Sequence, residues 1–218
     1  MRSMAKRRKV ANPLALAVLG TVAERPMHPY EMASTIRGRG KESSIRIKWG
    51  TLYTVVENLE KHGLIAAAET VREGRRPERT VYTITDSGRA ELYDWLRELV
   101  GVPEKEHRRF EAGLSLVGFL GPDETVALLQ QRLRALDAQI AELRDGLAEW
   151  GREVPRLFLV EAEYDLAMRQ AEADWTRSLL REIADGTMPG IAQWRMVHET
   201  GEIPQDWAEA ATKGATPD

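Results

Sequence analysis

Between Val126 and Trp150 the apolar residues Val126, Leu129, Leu133, Leu136, Ile140, Leu143, Leu147 and Trp150 are separated by 3, 4, 3, 4, 3, 4 and 3 positions. That alternation is the a/d seam of a helix built to meet another helix, and no strand or loop produces it. At 1.5 Å per residue the helix would run to about 40 Å. Gly151 and Pro155 then punctuate a turn. A second long helix is expected to about Asp185, with Leu157, Val160, Tyr164, Met168, Ala171, Trp175, Leu179 and Ile183 on a looser seam. So short a link folds the two helices back as an antiparallel pair. One pair cannot bury both of its apolar faces, so a second copy of the chain is expected against the Val126–Trp150 seam. The remainder, with Pro189-Gly190, Trp194 and Trp207, reads as a short helix and a loose tail.

The front of the chain has a different grammar. Leu14, Val18, Leu19 and Val22 predict a first helix over Pro13–Glu24. Pro29 suits the first position of a second helix carrying Tyr30, Ala33 and Ile36 inward, ended by Gly38 and Gly40. A third begins near Trp49-Gly50 and stops at His62-Gly63, with Leu52, Val55, Val56 and Leu59 as its apolar stripe. An extended segment from Leu64-Ile65 to about Thr70 follows, then a basic turn, then a return strand over Thr80–Thr85. Asp86 is expected to cap a fourth helix in which Leu92, Trp95, Leu96 and Leu99 share a face. Helix, helix, helix, strand, basic turn, strand is the order of a winged helix-turn-helix. The fold class expected is therefore mainly α: a winged helix-turn-helix followed by an antiparallel long-helix dimerisation domain. The boundaries expected are a basic arm over 1–11, the winged domain over 12–100, the dimerisation domain over 105–185, and a short helix and tail over 186–218.

Charge divides along the same line. The net charge of −3 conceals a front half, residues 1–98, with 18 Lys/Arg against 12 Asp/Glu. The back half has 13 against 22. A basic front suits an anionic partner. Duplex DNA needs phosphate neutralisation for affinity and groove-edge contacts for sequence choice. The third helix offers both, with Lys48 beside its N-terminus and Thr51, Tyr53, Thr54, Asn58 and Lys61 away from the apolar stripe. In the basic turn, Arg72, Arg75, Arg76 and Arg79 outnumber Glu73 and Glu78, which points to phosphate or minor-groove contact.

Other classes are disfavoured. The chain has no cysteine, so disulfides and thiolate metal sites are excluded. No apolar run is long enough to span a membrane. Lys6-Arg7-Arg8-Lys9 before an apolar stretch resembles a secretory signal, but that stretch runs straight into Glu24 and Arg25, so a cytoplasmic protein is expected. His28, His62, His107 and His198 are scattered, and there is no nucleophile elbow and no phosphate loop, so neither an enzyme nor a cofactor is expected. The aromatics Trp95, Phe110, Phe119, Trp150, Phe158, Tyr164 and Trp175 could line a small-molecule site, although aromatics at helical spacing are more often core. The rival reading is a winged helix used for protein contact without specific DNA binding.

Three stretches resemble the PadR family of bacterial transcriptional regulators. They are Gly50-Thr51-Leu52-Tyr53 continuing to Leu59-Glu60-Lys61-His62-Gly63-Leu64-Ile65, the wing Arg75-Arg76-Pro77-Glu78-Arg79-Thr80-Val81-Tyr82-Thr83-Ile84-Thr85, and Thr85-Asp86-Ser87-Gly88-Arg89-Ala90-Glu91-Leu92. Pro29-Tyr30-Glu31 matches the start of the family's second helix. The long helical back half is similar to the larger subfamily, that of AphA-type regulators. Two positions depart from the family pattern: His28 stands where Gly is common, and Thr54 where Pro often follows the recognition-helix Tyr. The resemblance implies a homodimer on an inverted-repeat operator of double-stranded DNA, with ATGT and ACAT half-sites. It also implies repression, relieved by a small-molecule effector or by altered expression.

Overall fold

The structure is a computed structural model that describes residues 10–40, 49–71, 79–106, 108–205 and 207. The chain forms two compact units, Met1–Lys105 and Glu106–Asp218.

The first unit opens with α1 (Pro13–Glu24). Asn12 caps it, its Oδ1 accepting from Leu14 N at 2.9 Å, and Pro13 fills the first turn, where no N–H is needed. α2 (Pro29–Gly38) starts from a reciprocal cap: His28 Nδ1 accepts from Tyr30 N, and Glu31 accepts from His28 N at 2.9 Å. His28, the departure from the family pattern, therefore serves as a cap residue. α3 (Trp49–Lys61) ends where Gly63 turns left-handed at φ +68°. Leu64 N returns to Leu59 O and Gly63 N to Glu60 O, a Schellman closure that a side chain at position 63 would strain. β1 (Ile65–Val71) and β2 (Arg79–Ile84) pair antiparallel from Ile65–Ile84 outward, with a bulge between Ala67 and Glu69. Met27 exchanges two 3.0 Å backbone bonds with Tyr82 on the other edge of β2. α4 (Asp86–Gly101) follows.

Leu14, Val18, Leu19, Val22, Met32, Ile36, Leu52, Val55, Val56, Leu59, Ile65, Leu92 and Trp95 form one core. Truncating a residue such as Leu59 to Ala should cost about 2–5 kcal/mol.

Three local expectations are corrected. Tyr30 is 60% exposed; two steps of three residues leave it about 120° around the helix from Ile36, off the core face. Thr85, not Asp86, is the N-cap of α4. On α4 the buried stripe stops at Trp95, and Leu96 and Leu99 are exposed.

The second unit holds α5 (Arg109–Leu114), a 3-10 turn at Val117–Phe119, α6 (Pro122–Trp150), a 3-10 turn at Arg156–Phe158, α7 (Val160–Ala184) and α8 (Ile191–Thr200). α6 and α7 run antiparallel as a hairpin. Leu136 and Ile140 pack on Ala173, and Leu129 packs with Ile183, Ile191 and Trp194. Ion pairs Arg132–Glu172 and Arg177–Asp137 cross between the helices. α8 is tied in by Trp194, whose Nε1 donates to Leu120 O at 2.8 Å.

The seam expected on α7 is not one face. The 23 steps from Val160 to Ile183 rotate through about 2300°, which leaves its ends about 140° apart. Ala173, Thr176 and Ile183 turn toward α6, whereas Val160, Tyr164 and Ala171 point outward and are exposed, and Trp175, 48% exposed, meets the Phe110 ring edge-on at 6.0 Å between centroids.

Candidate nucleic-acid interface

α3 is polarised by its sequence. Leu52, Val55, Val56 and Leu59 are buried, and every other described side chain over 51–61 is exposed. The exposed set includes Thr51, Tyr53, Thr54, Asn58 and Lys61, with Glu57 and Glu60 among them. Tyr53 is 46% exposed, so its ring flanks the apolar stripe while its edge stays open. Thr54 Oγ1 donates to Gly50 O at 3.0 Å, which commits its proton to the preceding turn and leaves its methyl and lone pairs outward. An outward surface of hydroxyl, phenol, amide and ammonium groups can address base edges and phosphate.

Lys48, Arg72, Arg75 and Arg76 lie outside the described residues. Arg79 opens β2 opposite Val71.

Side chains fix α3 against the wing strands. The Tyr82 phenol on β2 lies near the Glu60 carboxylate on α3; burial first, and then that carboxylate, holds the phenol above its ordinary pKa. Thr85 Oγ1 lies 2.7 Å from Gly63 O and 3.1 Å from Leu64 O, and it accepts from Gly88 N at 3.0 Å. Thr85 N adds a 3.1 Å bond to Leu64 O. A Cβ at Gly88 would lie 1.9 Å from Leu64 O, so only glycine lets the start of α4 come this close. These contacts join residues 21 and 22 positions apart, which spacing along the chain could not reveal. Away from the wing, Arg39 clamps Glu24 at 2.5 and 2.6 Å, and the guanidinium holds that carboxyl below its usual range.

In the second unit, the eight seam residues divide. Leu129, Leu136 and Ile140 are buried, Val126, Leu133, Leu143 and Leu147 are half-buried, and Trp150 is exposed. Leu136, at 7% exposure, is enclosed by the chain's own hairpin. The aromatics scatter: Trp95 is in the core of the first unit, Phe119 and Phe158 are exposed, and Phe110 lies under the Arg132 guanidinium, 3.6 Å from ring centre to Cζ. A groove of about 430 Å³ beside α6 and α7 is lined by Asp137, Ile140, Arg144, Gln170, Asp174 and Arg177. Arg177 there pairs with both Asp137 and Asp174, so its charge is already matched. Among the described residues there is no group of His, Asp or Glu that could hold a metal ion, and no helix is long and apolar enough to cross a membrane.

Residues 18–94 match the Transcriptional regulator PadR-like family. The chain is 27% identical over 132 residues to the negative transcriptional regulator PadR of Bacillus subtilis, covering 60% of this chain and 71% of that one. It is also 31% identical over 185 residues to a symmetrical bis(5'-nucleosyl)-tetraphosphatase of Stutzerimonas stutzeri, covering 75% of this chain and 65% of that one. That enzyme name stands apart, because the matched family and the structural neighbours are transcriptional regulators, not enzymes. Bacillus subtilis PadR in complex with operator DNA superposes with a TM-score of 0.63 at 23% identity, over 79% of this chain and 99% of that one. The same protein in complex with p-coumaric acid gives 0.66 at 21%, over 78% and 98%. The Vibrio cholerae virulence activator AphA gives 0.60 at 17%, over 79% and 98%. The mainly helical winged-helix architecture is shared with these three superposed structures.

Proposed function

We propose that this chain, whose residues 18–94 match the PadR-like family of transcriptional regulators, binds double-stranded DNA sequence-specifically as a cytoplasmic homodimer and represses transcription from an inverted-repeat operator. The observation that carries this reading is the split of α3: an apolar stripe sealed in the core and an outward face made of Thr51, Tyr53, Thr54, Asn58 and Lys61. A helix of this kind on a winged scaffold fits the major groove. Lys48, Arg72, Arg75, Arg76 and Arg79 supply the phosphate contacts in this reading. A small-molecule effector relieves binding, in line with the p-coumaric acid complex of the Bacillus subtilis protein.

The homodimer joins through the outward face of α7, where Val160, Tyr164 and Trp175 are exposed with the small Ala171 between them. Small residues let a second helix approach, and large ones flank the contact. A two-fold protein presents two α3 helices, so half-sites should be centred about 34 Å apart or at a multiple of that spacing. The test is selection of binding sites from random duplexes, followed by footprinting. A protected site with dyad symmetry is expected. Failure to enrich any sequence would overturn the reading.

A further inference from the structure

Resting on that reading, we infer that Thr85 is a positioning residue for operator recognition, setting the angle of the recognition helix against the wing and against α4. One hydroxyl group serves three segments at once. It donates toward the carbonyls of Gly63 and Leu64, the two residues whose amides close the end of α3, at 2.7 and 3.1 Å. It accepts the Gly88 amide at 3.0 Å and so caps α4. Its own residue follows directly on β2, whose last member, Ile84, pairs with Ile65 at the base of the wing.

The backbone makes the arrangement specific. Leu64 O accepts Thr85 N at 3.1 Å, and the missing Cβ of Gly88 leaves room for the same oxygen. Gly63, at φ +68°, turns the chain out of α3 so that both carbonyls face the hydroxyl. Without the hydroxyl, the Gly88 amide and the Gly63 carbonyl lose their shared partner, and the end of α3 stays joined to the start of α4 through the Thr85 N–Leu64 O bond and packing. These keep the two segments adjacent but leave the first turn of α4 without a side-chain link to the chain that leaves α3. Reading base edges and gripping phosphate together requires α3 and the wing to keep one relative orientation, and small angular errors remove directional bonds before they remove charge attraction. Thr85 touches no base in this account. It acts through α3.

The experiment uses the intact protein and two duplexes: the one it selects from a random library, and a scrambled version of equal composition. Thr85→Val keeps the shape and removes the hydroxyl, whereas Thr85→Ser keeps the hydroxyl. Leu92→Ala serves as a control that loosens the same core without touching the junction. Thr85→Val is expected to lower discrimination between the duplexes about tenfold, comparable to losing one good base contact, with scrambled-DNA affinity unchanged. Thr85→Ser should restore most of the discrimination. Leu92→Ala should lower the melting temperature and leave discrimination intact. If Thr85→Val lowers only the melting temperature, or if Leu92→Ala costs as much discrimination, the hydroxyl is a structural cap and the inference is overturned. If the unaltered protein selects no duplex, the DNA-binding reading fails, and this inference fails with it.

Discussion

α3 and α7 are both amphipathic, and they differ in how many faces the chain itself covers. α3 has one apolar stripe, wholly covered by its own unit, and an outward surface that is hydrophilic apart from Tyr53. α7 has an inner face closed on α6 through Ala173, Thr176 and Ile183, and an outer face where Tyr164 is 65% and Trp175 48% exposed. A helix whose apolar demand is met leaves its polar side free for a hydrated, charged partner. A helix left with large apolar groups in water calls for another protein surface. The same contrast separates the basic front of the chain from its acidic back.

The largest expected effect separates the inside of the hairpin from the outside. Leu136→Asp puts a charge among Ile140, Ala173 and Leu166, at a cost of about 4 kcal/mol or more. Helical content and cooperative unfolding of the second unit should be lost in circular dichroism. Val160→Asp together with Tyr164→Asp should leave helical content intact while light scattering shows dimers becoming monomers. If the outer-face pair unfolds the protein, or leaves the dimer whole, the two faces of α7 have been assigned wrongly.

A smaller effect belongs to the outward side of α3. Tyr53→Ala or Asn58→Ala should cost on the order of 1–3 kcal/mol on the selected duplex and far less on scrambled DNA. The arginines should behave in the opposite manner. Arg75→Ala with Arg76→Ala should weaken binding to both duplexes alike and flatten log affinity against log salt by about 0.9 per lost phosphate contact. Titrations at several salt concentrations measure both.

The smallest effect is a control on folding. Arg39 lowers the folded pKa of Glu24 from 4.5. Its contribution to stability is therefore present above pH 4.5 and is lost as pH falls through the lower folded value. Glu24→Gln should cost no more than about 1 kcal/mol at pH 7, because the pair is half exposed and screened. Denaturant midpoints for the two proteins should converge as pH approaches 3.

How well the sequence could be read followed the range of the interactions. The bounds of α1 were legible because Asn12, Pro13 and the apolar period act within one or two turns. α3 was legible for the same reason, with Gly63 marking its end. The seam of α6 was visible, but not which of its members the chain would close on itself, since that depends on the rotation of α7. Two apolar faces on α7 overlapped in sequence and were read as one drifting seam. The outward set on α3 followed from a single stripe. The Thr85 junction did not, because its meaning lies in carbonyls 21 and 22 residues away. Tyr30 lies off the core for a simpler reason: a spacing of three drifts off the core face of a helix.

In the proposed arrangement the polar face of α3 reads DNA while the outer face of α7 joins two chains. Both halves meet in one measurement: sedimentation of the intact protein titrated onto the selected duplex and onto its scrambled counterpart, at fixed salt. Two chains should load together on each selected duplex, with no stable single-chain complex, and the scrambled duplex should bind at least about 10³-fold more weakly. Equal affinity for the two duplexes, or a stable complex with one chain, would contradict the account.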